Sequence, residues 1–324
     1  MKIKQNYVVP LLFVGTVLAG MLSPMQSAVN GQVGKELGDG NASSVVSFGS
    51  GLVVMAIIIL ARSSTRKQFA SIPARIKANK IPWWSWLAGL CGAMVVFSEG
   101  ASASTLGVAT FQTTLISGMV ISGLLCDRFG IGVAIKQPFN LPRVLGAILA
   151  IAATVLVVSP SWRVPSVIAL AVLPFMAGLL AGWQPAGNSA VARETGSMLV
   201  SITWNFIVGF TVLTLALVIR VLTGAVSFHL PTTWWMYLGG PLGLLSIALM
   251  GLLVRGLGLL LLGLASTAGQ LIGSVLIDWL LPALGAQVYL VTILGAVVAL
   301  VGAVIAAIPS AKNESEAAVS QSIA

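Results

Sequence analysis

Ten stretches of about 20 mostly apolar residues follow one another along this chain of 324 residues, and that is the length an α-helix needs to cross a bilayer. They are Val8–Asn30, Ala42–Ala61, Trp83–Ala103, Leu106–Cys126, Pro142–Ser159, Ser166–Asn188, Met198–Arg220, Trp234–Val254, Gly256–Ile277 and Gln287–Ile308. Charged residues make up 8% of the chain, against about 25% in an average soluble protein, so too few are present to cover a water-facing surface. The pattern predicts an all-α integral membrane protein with ten transmembrane helices.

The composition also excludes several other classes of protein. Hydrophobic residues make up 57% of the chain, which is incompatible with disorder. The net charge of +9 does not indicate a nucleic-acid-binding protein, because the basic residues are spread over separate connecting segments. His229 is the only histidine, and the two cysteines, Cys91 and Cys126, lie inside apolar stretches without metal-ligand spacing. We therefore expect no nucleic-acid partner, no metal and no cofactor.

The distribution of basic residues predicts the orientation of the chain in the membrane. When the connecting segments are assigned alternately to the two sides, fourteen of the seventeen Lys and Arg residues fall on one side, six of them in the segment 62–80. Only Lys35, Arg163 and Arg220 fall on the other side. Since cytoplasmic loops are enriched in Lys and Arg, both termini should be cytoplasmic.

The sequence contains an internal repeat. The segment Gly20–Gly38 aligns without gaps with Gly178–Gly196, at an offset of 158 residues. The offset then becomes 151, where Trp83 and Trp84 align with Trp234 and Trp235, and it is 149 near the end of the chain. The matched positions include the pairs Gln26/Gln184, Asn30/Asn188, Phe48/Phe206, Gly51/Gly209, Gly89/Gly240, Gly92/Gly243, Gly118/Gly269, Asp127/Asp278 and Gly146/Gly295.

This repeat predicts two inverted halves. Each half has five spans, an odd number, so the second half must cross the membrane in the opposite sense to the first. We expect a first five-helix repeat over 1–160 with a basic cytoplasmic loop at 62–80, a second over 161–309, and a flexible cytoplasmic tail at 310–324. Inverted repeats are typical of transporters. The first span belongs to the duplicated unit, so we interpret it as a retained helix and not as a cleaved signal peptide.

Several motifs carry a resemblance to a known family. They are Pro24-x-Gln26-x-x-x-Asn30, Pro82-Trp83-Trp84, Gly118, Asp127-Arg128-Phe129-Gly130 and Ala268-Gly269-Gln270. Together they resemble the YdcZ-type branch of the drug/metabolite transporter superfamily, over roughly residues 8–309. The resemblance implies a fused pair of five-span units in a bacterial cytoplasmic membrane. It also implies transport, with export favoured over import.

Uncharged polar residues inside the spans are candidates for a substrate path. Amides and hydroxyls within a bilayer need hydrogen-bond partners, which a solute or a neighbouring helix can supply. Both interpretations, a polar path and packing between helices, stay open at this stage. The candidates are Gln26, Asn30, Gln184, Asn188, Thr113, Thr114, Ser117, Ser266, Thr267 and Gln270.

Three acidic residues are candidates for proton or cation coupling. Glu99 is the only carboxylate inside a predicted span, and an intramembrane acid is a functional candidate by default. Its place near the outer end of its span also allows it to reach the lipid headgroups. Asp127 and Asp278 end equivalent spans, where they serve either as helix-end partners or as relay groups.

These features together predict a secondary transporter that moves a small polar or cationic solute by alternating access. A proton gradient is a suitable energy source, and no P-loop pattern indicates ATP hydrolysis. No catalytic residue set is visible, so a membrane enzyme is the weakest alternative; a lipid scramblase or a non-transporting membrane partner protein is another. The expected partners are a small-molecule substrate and membrane lipids, with the chain acting as a monomer of two fused repeats or as a homodimer.

Overall fold

Helices form the regular structure of the chain. The computed structural model describes residues 5–131, 136, 139–161, 164–281 and 288–307, and these ranges contain helices and no strand. A helix satisfies its backbone hydrogen bonds within one segment, which is what a chain surrounded by hydrocarbon requires. The prediction of an all-α membrane protein is confirmed.

The described part of the first half contains ten α-helices. They are α1 (Gln5–Gly20), α2 (Leu22–Leu37), α3 (Gly40–Ala61), α4 (Ser63–Ala70), α5 (Ile72–Lys77), α6 (Trp83–Trp86), α7 (Gly89–Ser98), α8 (Ser104–Leu106), α9 (Val108–Phe129) and α10 (Leu141–Val158). A π-helical turn over Glu99–Ala103 connects α7 to α8, and a 3-10 turn over Ser159–Ser161 follows α10.

The described part of the second half contains four α-helices. They are α11 (Pro165–Thr195), α12 (Met198–Leu222), α13 (Gly239–Leu280) and α14 (Leu290–Ala306), with a 3-10 turn over Trp234–Leu238 before α13. Two predicted spans lie within α13, which breaks at Gly258, where φ is 72°. Gly107, which the repeat matches to Gly258, makes the corresponding break between α8 and α9 with φ 84°. Both breaks use a backbone conformation that favours glycine, and this explains how the two pairs of spans are joined so tightly.

Nine helical segments within the described residues are long and apolar enough to cross a membrane. The tenth predicted span corresponds to α14, a shorter apolar helix of 17 residues. The ends predicted for that span, Gln287 and Ile308, lie outside the described residues, and so does the predicted tail at 310–324.

Two predicted span ends are wrong. We placed the ends of the first and sixth spans at Asn30 and Asn188, but α2 continues to Leu37 and α11 to Thr195. Both helices pass through segments rich in small residues, which pack against neighbouring helices although their sequence is only weakly apolar. The amides of these segments therefore lie within long helices and not at their ends.

The basic segment 62–80 is also more ordered than predicted. Instead of a loop, it forms the short helices α4 and α5. Ile72 is fully buried against Ile59 and Val200, and this apolar anchor holds the segment against the helical bundle. Arg75 forms an ion pair with Glu194 of the second half (3.5 Å).

Each half makes the same close contacts with the other half. A Cβ atom on Gly20 would lie 3.2 Å from the Cα atom of Gly269, and a Cβ on Gly178 would lie 3.0 Å from the Cα of Gly118. The repeat matches Gly20 to Gly178 and Gly118 to Gly269, so each half packs its first span against the fourth span of the other half. Such close approach of helix backbones requires glycine at the contact.

The same is true at the centre of the molecule. The rings of Phe48 and Phe206 lie with their centroids 5.0 Å apart. A Cβ on Gly51 would meet the ring of Phe206, and a Cβ on Gly209 would meet the ring of Phe48, each at 2.4 Å. The sequence repeat is thus also a repeat of contacts, and these two phenylalanines lie where the halves face one another.

Candidate functional site

A cavity of about 300 Å³ lies between the two halves, next to the central phenylalanines. Eighteen of its nineteen lining residues form nine pairs that the sequence repeat matches, which places the cavity where equivalent surfaces of the halves meet. The pairs are Ser23/Ala181, Gln26/Gln184, Ser47/Asn205, Phe48/Phe206, Gly89/Gly240, Gly92/Gly243, Val95/Ser246, Val96/Ile247 and Met119/Gln270, and the remaining residue is Leu115.

Glutamine amides approach glycines across this cavity. A Cβ on Gly92 would lie 3.0 Å from Nε2 of Gln184, and a Cβ on Gly243 would lie 2.7 Å from Oε1 of Gln26. The two glycines therefore leave the space that the two amides occupy. Gln270 also lines the cavity, and its Nε2 donates to Oγ of Ser266 (3.2 Å).

Glu99 lies behind the cavity, and its carboxylate is buried. Oε1 accepts a hydrogen bond from Oγ of Ser27 (2.9 Å), and Oε2 accepts one from Nδ2 of Asn30 (2.6 Å). Glu99 is only 2% exposed. It begins the π-helical turn, and both of its partners lie on α2. The carboxylate therefore points into the protein. The alternative, that it reaches the lipid headgroups, would require it to point outward.

A hydrogen-bonded chain connects this carboxylate to the cavity. Nε2 of Gln112 donates to Oγ of Ser27 (2.9 Å) and to Oγ of Ser23 (3.3 Å), and Ser23 lines the cavity. Sequence reasoning missed Gln112, Ser23 and Ser27. A signal was present, since Gln112 is a lone amide in an apolar span and the two serines are four residues apart, on one face of α2.

The second half keeps only the asparagine of this cluster. The positions matched to Ser23, Ser27 and Gln112 hold Ala181, Pro185 and Gly263. Nδ2 of Asn205 donates to Oδ1 of Asn188, the residue matched to Asn30. Oγ of Ser201 donates to the carbonyl oxygen of Asn188 (2.9 Å), as Oγ of Ser43 does to that of Asn30 (2.6 Å). The position matched to Glu99 holds Met250, so the carboxylate breaks the symmetry between the halves.

The hydroxyls of α9 lie away from the cavity. Thr113, Thr114 and Ser117 are buried and do not line it. Oγ of Ser117 donates to the carbonyl oxygen of Ala150 (2.7 Å) in α10, which is a packing contact. Thr267 lines a different cavity of about 290 Å³. Of the ten predicted path residues, only Gln26, Gln184 and Gln270 line the central cavity.

Asp278 and Asp127 have different surroundings although the repeat matches them. The buried carboxylate of Asp278 accepts hydrogen bonds from the backbone N–H groups of Val108 (2.9 Å) and Ala109 (2.7 Å), so it caps the start of α9. Asp127 forms an ion pair with Arg143 (3.0 Å) at the rim of the second cavity. The structure thus places Asp278 as a helix-end partner.

Replacing Asp278 by Ala should lower the free energy of unfolding by about 0.5–2 kcal/mol, since α9 loses its side-chain cap. Asp278→Asn should recover only part of this loss, because asparagine has one acceptor oxygen for the two N–H groups and turns its own NH2 group toward the other. Thermal unfolding in detergent measures both effects, with Asp127→Ala as the matched control at the partly exposed position. Equal losses for Asp278→Ala and Asp127→Ala would contradict the capping role.

Comparison with known proteins identifies the family. No curated protein matches the chain. The family model described as "Putative inner membrane exporter, YdcZ" matches residues 11–156 and again residues 169–305, which is most of the chain. The two matches fall one in each half, and the spans found in the structure agree with a multi-pass membrane protein. The chain therefore belongs to the YdcZ family of inner membrane exporters.

Proposed function

We propose that this chain is a secondary exporter that moves a small solute by alternating access through the central cavity. The observation that carries the proposal is the lining of that cavity by repeat-matched pairs from both halves. If the halves are inverted five-helix repeats, exchanging their conformations keeps the cavity in place and changes the side to which it opens. The exchanged glycine contacts support this organisation, because they join each half to the other in the same way.

The different arrangements at the two ends of the molecule support alternation. At one end Asp278 caps α9, while at the other end the matched Asp127 pairs with Arg143 beside a cavity. By the distribution of basic residues, the Asp278 end faces outward and the Asp127 end faces the cytoplasm. An exchange of the two arrangements would convert one access state into the other.

Glu99 is the residue we propose for proton coupling. A carboxylate within a membrane protein is costly to keep unless it has partners, and such residues mark proton relays. Glu99 has Ser27 and Asn30 as partners, and the chain through Gln112 reaches Ser23 at the cavity wall. A solute that displaces the hydrogen bond at Ser23 therefore acts on the surroundings of Glu99.

Transport can be tested with purified protein in liposomes that contain a pH-sensitive dye. A pH gradient is imposed, and neutral and cationic solutes are added one by one. We expect at least one solute to dissipate the gradient in a saturable way, and none to do so in liposomes without protein. Movement of labelled lipid between the leaflets, with no solute-linked proton flux, would instead indicate a scramblase.

A further inference from the structure

The central cavity carries no charge. Among the described residues that line it, every polar group is an amide or a hydroxyl. The carboxylate of Glu99 is bonded to Ser27 and Asn30 and does not line the cavity. Asp127 and Arg143 line a different cavity. A charged solute would therefore give up its hydration without gaining a counter-charge, which is expensive in a membrane protein.

The uncharged groups of the lining favour a solute with both polar and apolar parts. An amide offers donors and acceptors together, so Gln26, Gln184 and Gln270 can bond a group that does the same. The rings of Phe48 and Phe206 provide an apolar wall. A volume of about 300 Å³ is at the lower end for ligand pockets, which limits the solute to a small molecule.

Both halves contribute polar side chains to the lining, three from the first half and four from the second. In four of the nine matched pairs the two residues are of different types and at least one of them is polar. In three of these pairs the residue of the second half offers more hydrogen-bonding groups than its counterpart in the first half. These are Ser47/Asn205, Val95/Ser246 and Met119/Gln270. The fourth pair, Ser23/Ala181, has the opposite sense. Ser23 is bonded to Gln112, as Asn205 is to Asn188 and Gln270 to Ser266. Amides, hydroxyls and aromatic rings therefore line one cavity, which suits a solute with a polar head and an apolar body.

We infer that the central cavity binds an uncharged solute with a ring-sized apolar body and an amide-like head. The head bonds amides and hydroxyls of the lining, and the body lies against the phenylalanine rings and Met119. That this solute is the one transported rests on the proposed function, whereas its chemical class follows from the lining of the cavity alone. It separates the two tasks of the site, since the cavity selects the solute while Glu99 carries the proton.

Three molecules of nearly the same shape test this inference: benzamide, which is neutral, benzamidinium, which is cationic, and benzoate, which is anionic. Purified protein is titrated with each one at pH 7.5 while its thermal unfolding is followed. We expect benzamide to raise the unfolding temperature in a saturable way, because a ligand that binds the native state stabilises it. The charged molecules should need at least tenfold higher concentrations for the same shift.

Two variants show whether the effect comes from the cavity. Gln270→Met copies the matched residue of the first half and should weaken benzamide binding about tenfold without lowering the unfolding temperature of the free protein. Thr267→Ala, in the second cavity, should leave benzamide binding unchanged. A benzamide shift that Gln270→Met leaves intact would overturn the inference, because benzamide would then act elsewhere or through the detergent.

Other results would overturn the solute class and leave transport standing. A stronger shift with benzamidinium, lost in Glu99→Gln, would assign a cation site, and a stronger shift with benzoate would assign an anion site. The absence of a benzamide shift up to its solubility limit would also overturn the inference. Failure of the proposed function has a different signature, namely a cavity that is accessible from one side of the membrane only.

Discussion

Replacing Glu99 by Gln is expected to reduce solute-dependent proton flux to the level of liposomes without protein. The glutamine side chain has nearly the same shape and can still accept a hydrogen bond from Ser27 or Asn30, but it cannot exchange a proton. Binding of a neutral solute in the cavity should persist, because Glu99 does not line it. The measurement combines dye-reported proton flux with solute binding in the same preparation.

Glu36 provides the matched control for this prediction. It is an exposed carboxylate, and Glu36→Gln should leave proton flux unchanged. Proton flux that survives in Glu99→Gln would show that the carboxylate only fastens α2 to the π-helical turn. In that case the variant should be less stable, while its transport stays coupled to pH.

Adding one methyl group at Gly118 or Gly269 should destabilise the protein strongly. A Cβ on Gly118 would lie 2.3 Å from the carbonyl oxygen of Phe175, and one on Gly269 would lie 2.0 Å from that of Val17. Backbone atoms cannot rotate away as side chains can, so the helices must separate. Overpacking of this kind costs typically about 1–3 kcal/mol and occasionally more, and we expect Gly118→Ala and Gly269→Ala to reach at least the upper end of that range.

Two other glycines in the same helices provide matched controls. In the described part of the chain, a Cβ on Gly123 in α9 or on Gly263 in α13 would have no atom of another helix within 4 Å. Gly123→Ala and Gly263→Ala should therefore be neutral or stabilising by about 0.5–1 kcal/mol, since alanine favours a helix over glycine. Equilibrium unfolding in mixed detergent measures all four variants. Similar losses at the contact and control glycines would contradict the exchanged packing.

Much of the helical architecture and part of the site could be predicted from the sequence. The length of the apolar stretches identified the spans, because a bilayer sets the length of a crossing helix. The offset between the halves predicted which glycines are equivalent. In the structure the equivalent glycines make equivalent contacts, Gly20 with Gly269 and Gly178 with Gly118. Of the predicted path residues, Gln26, Gln184 and Gln270 line the central cavity, as expected of amides that need a partner or a solute within a bilayer.

The other residues of the site could not be predicted, because their roles depend on which face of each helix points inward. An apolar sequence does not reveal that face. Gln26 and Asn30 share a helix face, yet Gln26 lines the cavity and Asn30 bonds Glu99. Thr113 lies in the interior, but against neighbouring helices and not at the cavity. The sequence spacing around Glu99 could not predict the π-helical turn that begins there. Gln112 acquires its role only through its contact with Ser27 on another helix, which lies 85 residues earlier in the sequence.

Accessibility of a single cysteine from the two sides of the membrane tests alternating access most directly, and it needs no known substrate. In a protein with Cys91 and Cys126 replaced by Ala, Ser246→Cys places a thiol at the wall of the cavity. Ser63→Cys and Ser227→Cys, both at exposed positions, serve as controls for the cytoplasmic and outer sides. Membrane-impermeant thiol reagent is added to one side of oriented vesicles at a time.

We expect Ser246→Cys to be labelled from both sides, and we expect a change of pH to alter the ratio of the two labelling rates. Each control should be labelled from its own side only, which also tests the predicted orientation. Labelling of Ser246→Cys from one side alone at every pH, while both controls behave as expected, would contradict alternating access through this cavity.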